Sequence, residues 1–281
     1  KNPVLNIASA TNSRSVVAGL IREFPCNHAL NPITFCDRLL SFAAPAVMNS
    51  LTFDYNVRQR LGGLNLSFFV LDESVFPTSD NAMKLAGLVR SLAACAITFA
   101  DAWSGGYSES TGWHAKWAIT KHERLRLRAS VDALVAYLYG LDWEDYRHLL
   151  DGTDLGMQSY RGKDVDLDPK GFWRIDKDKD PELRHTVLSL IAFHDLQQKG
   201  LDAFLAQNDG EGWMIPETLR LADYGLGHDE RAQEHQPVAS RLGPRFYDWQ
   251  LNEDVERSWA ECAAHAALIR RIVPMPEAEL D

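Results

Sequence analysis

Histidines and carboxylates are the first residues to weigh for chemistry. His185 and His194 lie near Glu182 and Asp195, and His228 and His235 flank the run DERAQE. Imidazole and carboxylate groups hold divalent metals when helical spacing sets them side by side, as in HExxH. Positions 185 and 194 are too far apart for that, so these histidines read as satisfied structural groups. Arg174, Asp176, Lys177, Asp178 and Lys179 form the acid–lysine pattern of a metal-dependent nuclease, but without a second acid on a defined strand. No Ser/His/Asp set has interpretable spacing, and neither a P-loop nor a strand–GxGxxG–helix occurs. The chain is therefore expected to carry no catalytic set, no metal and no cofactor of its own. An independent metal-dependent hydrolase is the weakest of the readings it allows.

Short polar and basic side chains point to a different chemistry. Asn12, Ser13 and Arg14 sit between apolar runs, where Asn and Ser favour a turn. At a loop tip they suit contacts to DNA bases or phosphates; the alternative is a solvated hairpin tip. Lys121, Arg124 and Arg128 repeat at three- and four-residue spacing. Such a basic stripe tracks a phosphate backbone, or is only the wet face of an amphipathic helix. Arg58 lies four residues after Asp54, the spacing of an ordinary helical ion pair. Arg60 has no comparable acid and is the better candidate for a phosphate.

The elements that position these groups follow from periodicity. Residues 4–22 read as two strands around a turn, and 25–38 as an irregular connection. An apolar helix is expected from about Pro45 to Arg60, with proline in its first turn and Val47, Leu51 and Tyr55 on one face. Gly62 and Gly63 permit a reversal with positive φ. Leu66 to Leu71, branched and aromatic, then reads as a strand. A helix capped by Thr78, Ser79 or Asp80 should run to about Trp103. Another starts with a Thr120/Glu123 capping box and stops at Gly140, and Asp142 caps a short one after it. Further helices are expected from Asp180 to about Gly200, from Pro216 to Gly225 and from about Asp254 to Val273. The fold class is α+β, predominantly helical, with a small sheet near the N-terminus.

The 281 residues carry a net charge of −10, against free-standing nucleic-acid binding, which favours basic chains, and 46% of them are apolar. The charge is uneven. Residues 1–150 hold 14 basic and 13 acidic groups, and residues 151–281 hold 15 and 26. A phosphate-facing surface is expected in the first half. Cysteines at 26, 36, 95 and 262 form no CxxC pair and read as thiols of a reducing cytoplasm. No apolar run reaches the roughly 20 residues that cross a bilayer.

The stretch MNSLTFDYNVRQRLGGLNLSFFVL and the block from Arg124 to Leu150 together resemble the C-terminal region of single-chain type II restriction–modification enzymes and related phage-defence methyltransferases. The pattern is carried by Asn49, Ser50, Phe53, Asp54, Arg58, Arg60, Gly62, Gly63, Asn65 and Pro77. It departs from the family at Asp72 and Glu73, where such proteins more often continue apolar or basic. In that family an adenine-specific methyltransferase domain precedes a target-recognition region. The resemblance implies DNA contacts at Gly62, Gly63 and Asn65 as well as at the basic residues above. It also implies a missing catalytic domain, because the Asn-Pro-Pro-aromatic loop that holds an extruded base is absent: Asn2-Pro3 and Asn31-Pro32 continue with Val and Ile. S-adenosylmethionine would bind that missing domain, and Lys1-Asn2-Pro3, without Met, fits a fragment cut from a longer protein. The expected partners are double-stranded DNA and the catalytic domain, with no membrane. The expected organisation is a target-recognition region over 1–150, a long loop or linker over 151–180 and an acidic helical region over 181–281. The alternative is a protein–protein interaction module of a phage-defence complex.

Overall fold

The computed structural model describes residues 1–8, 12–22, 25–35, 38–61, 63–77, 84–104, 111–150, 172, 176, 178–226 and 230–273. In chain order the elements are β1 (Asn2–Leu5), β2 (Leu30–Ile33), α1 (Arg38–Met48), α2 (Leu51–Arg58), α3 (Phe68–Asp72), α4 (Leu85–Ala93), α5 (Ala100–Trp103), α6 (Lys121–Leu138) and α7 (Trp143–Leu149). After them come α8 (His185–Lys199), α9 (Leu201–Ala206), β3 (Thr218–Leu219), β4 (Gln236–Pro237), α10 (Asp248–Leu251) and α11 (Val255–Ile272). The protein is predominantly helical, with a small antiparallel sheet of β1 and β2 near its N-terminus. Among the described residues no helix is long and apolar enough to cross a membrane.

Helices α6 and α8 form the centre. Thr186 to Phe193 are buried without interruption, and so are Ala129 to Ala136. A helix buried on all sides belongs in the interior of a fold. One continuous core links Val4, Val47, Leu134, Ile191 and Val238. Cys262 and Ala266 of α11 pack with Trp103 and Trp113 in a second cluster. The two ends of the chain thus return to elements in its middle.

Several elements differ from expectation. The helix expected over Pro45–Arg60 is two helices broken at Asn49 and Ser50. Pro45 lies inside α1 rather than in a first turn. Its missing N–H leaves the Ser41 carbonyl without its helical donor. The buried Asn2 amide takes that place, Nδ2 donating at 2.8 Å. Leu66–Leu71 is not a strand. Ser67 caps the short helix α3, which leaves Phe68 and Phe69 exposed, so local capping overrides β-propensity. The connection over 25–38 contains β2. Residues 17–21 run beside β1 through an isolated bridge, Val4 to Ala18.

The helix expected to reach Trp103 breaks after Ala93 and resumes as a 3-10 turn and α5. Its caps Thr78, Ser79 and Asp80 lie outside the described residues. Thr120 does cap α6, accepting from the Glu123 N–H at 3.2 Å, but no capping box forms. The Glu123 carboxylate pairs instead with Arg126 and Arg245. Gly140 ends that helix region at φ +69°, and Asp142 caps α7. The helix expected from Pro216 is absent. A two-residue strand and a 3-10 turn replace it, ending on Gly225 at φ +69°. Most of the loop expected over 151–180 falls outside the described residues.

Candidate nucleic-acid interface

Residues of the Asn-Ser-…-Asp-…-Arg pattern meet at the corner between α1 and α2. Asn49 clasps the backbone of Ala18, its Oδ1 accepting at 3.0 Å and its Nδ2 donating at 2.8 Å. Ser50 caps α2 by accepting from the Phe53 N–H at 3.1 Å. Asp54, fully buried, accepts from the Ser15 and Val16 N–H groups at 2.7 and 2.6 Å. Arg58 closes on the other oxygen of Asp54 at 2.6 Å and donates to the Asn12 carbonyl at 2.8 Å. Its guanidinium also lies over the Phe172 ring. These four residues latch segment 12–18 to the helical core, and two backbone donors offset the burial of a carboxylate.

A second buried carboxylate lies behind the latch. Asp132, in the middle of α6, accepts from the Leu51 N–H at 2.7 Å and so caps α2 from outside that helix. His185 Nε2 lies 2.8 Å from Asp132 Oδ2, off the line of a good hydrogen bond. Arg14 Nη2 lies 3.8 Å from the same oxygen. Burial alone would raise the Asp132 pKa; His185, the Arg14 charge and the Leu51 N–H outweigh it and hold the carboxyl below its ordinary value. Asp176, also buried, accepts from the His185 N–H at 2.7 Å at the start of α8. Tyr146 lies buried nearby, and burial followed by the Asp132 charge pushes its phenol well above the ordinary value.

The candidate DNA contacts divide accordingly. Arg14 and Arg58 turn inward, Arg14 to Asp132 and Arg58 to Asp54. Arg124 donates from Nη1 to the Leu92 and Ala118 carbonyls, both at 2.9 Å. Arg60 is exposed and folds back onto the Asn56 carbonyl and side chain, at 3.0 and 2.8 Å. Asn12, Gly63, Asn65, Lys121 and Arg128 are exposed, and Ser13 is half-buried. Asn65 bridges Ile7, which extends the backbone contact of the sheet region. Gly63 does not use the left-handed conformation expected of it; Gly62 lies outside the described residues. On α6, Lys121, Arg124 and Arg128 form one line in a helix otherwise buried along most of its length.

The fold joins two of the sequence's separate candidates. Arg128 stands close enough to Arg124 and Arg14 that their charges act on it. Desolvation first, then those two charges, lower its pKa from the ordinary arginine value, against the pull of Asp132 and Asp176. Arg14 of the loop thus meets α6 beside Arg128, with Asp132 and Asp176 as counter-charges. Sequence reasoning missed Asp132, whose visible mark is an acid inside the apolar run ASVDALVAYL. It also missed Arg126, buried and donating to the Glu211 and Trp213 carbonyls at 2.9 and 2.8 Å.

Some of the histidines and acids weighed for metal binding have neighbours in the fold. His185 faces Asp132 and Asp176 caps α8, while His194 lies 3.6 Å from Asp195. His228, Arg174 and Lys177 lie outside the described residues. Among the described residues no group of three or more His, Cys, Asp or Glu is arranged to hold a metal ion. Compared with known proteins, the chain matches no family model, no curated protein and no solved structure.

Proposed function

We propose that this chain positions duplex DNA for a partner catalytic domain, itself the site of S-adenosylmethionine chemistry on adenine. The observation that supports it is that Arg14 reaches Asp132 on α6, one turn from Arg128 and two turns from Arg124. Like charges held together cost free energy unless counter-charges offset them. Asp132 and Asp176 offset part, and a polyanion laid across Lys121 and Arg128 would offset the rest. The exposed Asn12, whose carbonyl Arg58 anchors, would reach the same backbone. Arg58 and Arg124 act in this reading as supports rather than as phosphate contacts.

Fluorescence anisotropy with a labelled duplex tests this, at salt from roughly 50 to 200 mM. Arg128→Gln and Lys121→Gln should each weaken binding and lower the salt slope by about one unit. Absence of DNA binding, or the same affinity and slope in both variants, would sink the reading.

A second reading, a protein–protein module, is favoured by Trp249 and Leu251, which are 50% and 66% exposed in the acidic half. Exposed apolar groups of this size mark contact surfaces when they cluster. A partner that co-purifies with the chain and is lost in Trp249→Ser with Leu251→Ser would favour it.

A further inference from the structure

Two carboxylates hold the segment around Arg14, and they hold it differently. Asp54 accepts backbone N–H groups of Ser15 and Val16 at hydrogen-bond distance. Asp132 meets the Arg14 side chain loosely. Nη2 stops 3.8 Å from Oδ2, and Nη1 is buried without a partner among the described residues. A guanidinium that fits a carboxylate makes two hydrogen bonds of about 2.7–2.9 Å. A buried donor left unmet costs free energy, so the inward position of Arg14 is weakly held.

His185 competes for the same oxygen. Its Nε2 stands 2.8 Å from Asp132 Oδ2, nearer than Arg14, and no well-aligned hydrogen bond joins them. A neutral imidazole gains little there, whereas an imidazolium gains a charge pair with a buried carboxylate.

The other ionisable groups around His185 leave that competition in place. On α6, Arg128 stands one turn from Asp132. On α7, burial and the Asp132 charge keep the Tyr146 phenol protonated. Before α8, Asp176 accepts from the His185 N–H, and Lys179 Nζ lies 4.0 Å from its carboxylate. Glu182 turns to Arg231 and Arg241, and Arg184 donates to the Lys179 carbonyl. From α2 comes only the Leu51 N–H on Asp132. Asp132 therefore has two cations to choose between, Arg14 and protonated His185.

We infer, resting on the DNA reading above, that Arg14 exchanges Asp132 for a phosphate of the duplex while protonated His185 takes its place on Asp132. Binding of DNA then takes up a proton. The Arg14 side chain is already 21% exposed and follows exposed Asn12, so the exchange asks for rotation of one side chain and no opening of the core. The direction follows from the charges. Withdrawing Arg14 strips Asp132 of a counter-charge, which favours the imidazolium in the complex. Affinity for the duplex therefore rises as pH falls through the range where imidazoles gain their proton.

Anisotropy with the labelled duplex at fixed salt, from about pH 8 down to about pH 5.5, tests it. Wild-type affinity should rise roughly tenfold across that range. His185→Gln keeps a donor toward Asp132 but takes no charge, and should flatten the profile. Arg14→Gln should weaken binding, lower the salt slope by about one unit and flatten the profile too. Adding His185→Gln to Arg14→Gln should then change the profile no further. His235→Gln, at an exposed histidine elsewhere, should keep the wild-type profile. Urea midpoints check that each variant folds; if His185→Gln does not, the Arg14→Gln profile decides. A pH profile that Arg14→Gln retains, or that His235→Gln flattens equally, overturns the exchange and leaves the DNA reading standing. No binding at any pH overturns both.

Discussion

Asp54 and Asp223 each pair with an arginine close in sequence, and the two pairs look alike by distance. Arg58 Nε reaches Asp54 at 2.6 Å, and Arg220 Nη2 reaches Asp223 at 2.5 Å. Their surroundings differ. Asp54 is fully buried and accepts two further N–H groups from Ser15 and Val16. The Arg220–Asp223 pair lies in solvent. An exposed pair gives up strong hydration for a screened attraction, so little is gained. A buried carboxylate with a full set of donors organises everything that donates to it. Closeness in the sequence, four residues in one pair and three in the other, therefore says nothing about weight; the backbone that converges on the carboxylate does.

The largest expected effect tests that difference directly. Asp54→Ala removes the carboxylate that Arg58 Nε and the Ser15 and Val16 N–H groups donate to, and should destabilise the fold by about 3–5 kcal/mol. Urea unfolding followed by tryptophan fluorescence measures it. A loss no greater than that of Asp223→Ala would break the comparison.

A pH series sharpens it with Asp132. Burial is outweighed there by His185, Arg14 and the Leu51 N–H, so the folded carboxyl has a lower pKa than the unfolded one. Its contribution is then fully present above the unfolded value, near about pH 4, and is lost as pH falls through the folded value. Glu123 shifts the same way, because Arg126 and Arg245 outweigh its burial. The difference between wild type and Asp132→Asn isolates Asp132. Asp132→Asn should be less stable at pH 7 and lose less on acidification. Parallel urea midpoints between roughly pH 3 and pH 7 would contradict this.

The smallest effect belongs to Arg220→Ala. Its partner is exposed, and the thermal midpoint should not move measurably. A clear drop would mean that the surface pair carries weight that its exposure denies it.

Much of the helical scaffold was legible locally. Gly140, Asp142 and Asp254 mark helix boundaries where their side chains, or the lack of one, satisfy nearby backbone. The elements misread were those decided at a distance. Pro45 is tolerated inside α1 because Asn2, on β1, meets the freed Ser41 carbonyl. Ser67 drew an aromatic run into a helix whose Phe68 and Phe69 face outward. Of the candidate contact residues, composition named the basic ones and could not say which point inward. Arg14, Arg58 and Arg124 have partners 118, 4 and 32 residues away, and only the folded chain shows all three contacts at once.

By itself the sequence determined the predominance of helix, the small N-terminal sheet and the charge contrast between its halves. Capping and periodicity are local, and charge is additive along the chain. The tertiary structure alone decided that Asp132 caps a helix other than its own, and that Arg14 stands beside Arg128. Each of these sets groups from separate elements against one another, and burial then multiplies what each charge is worth.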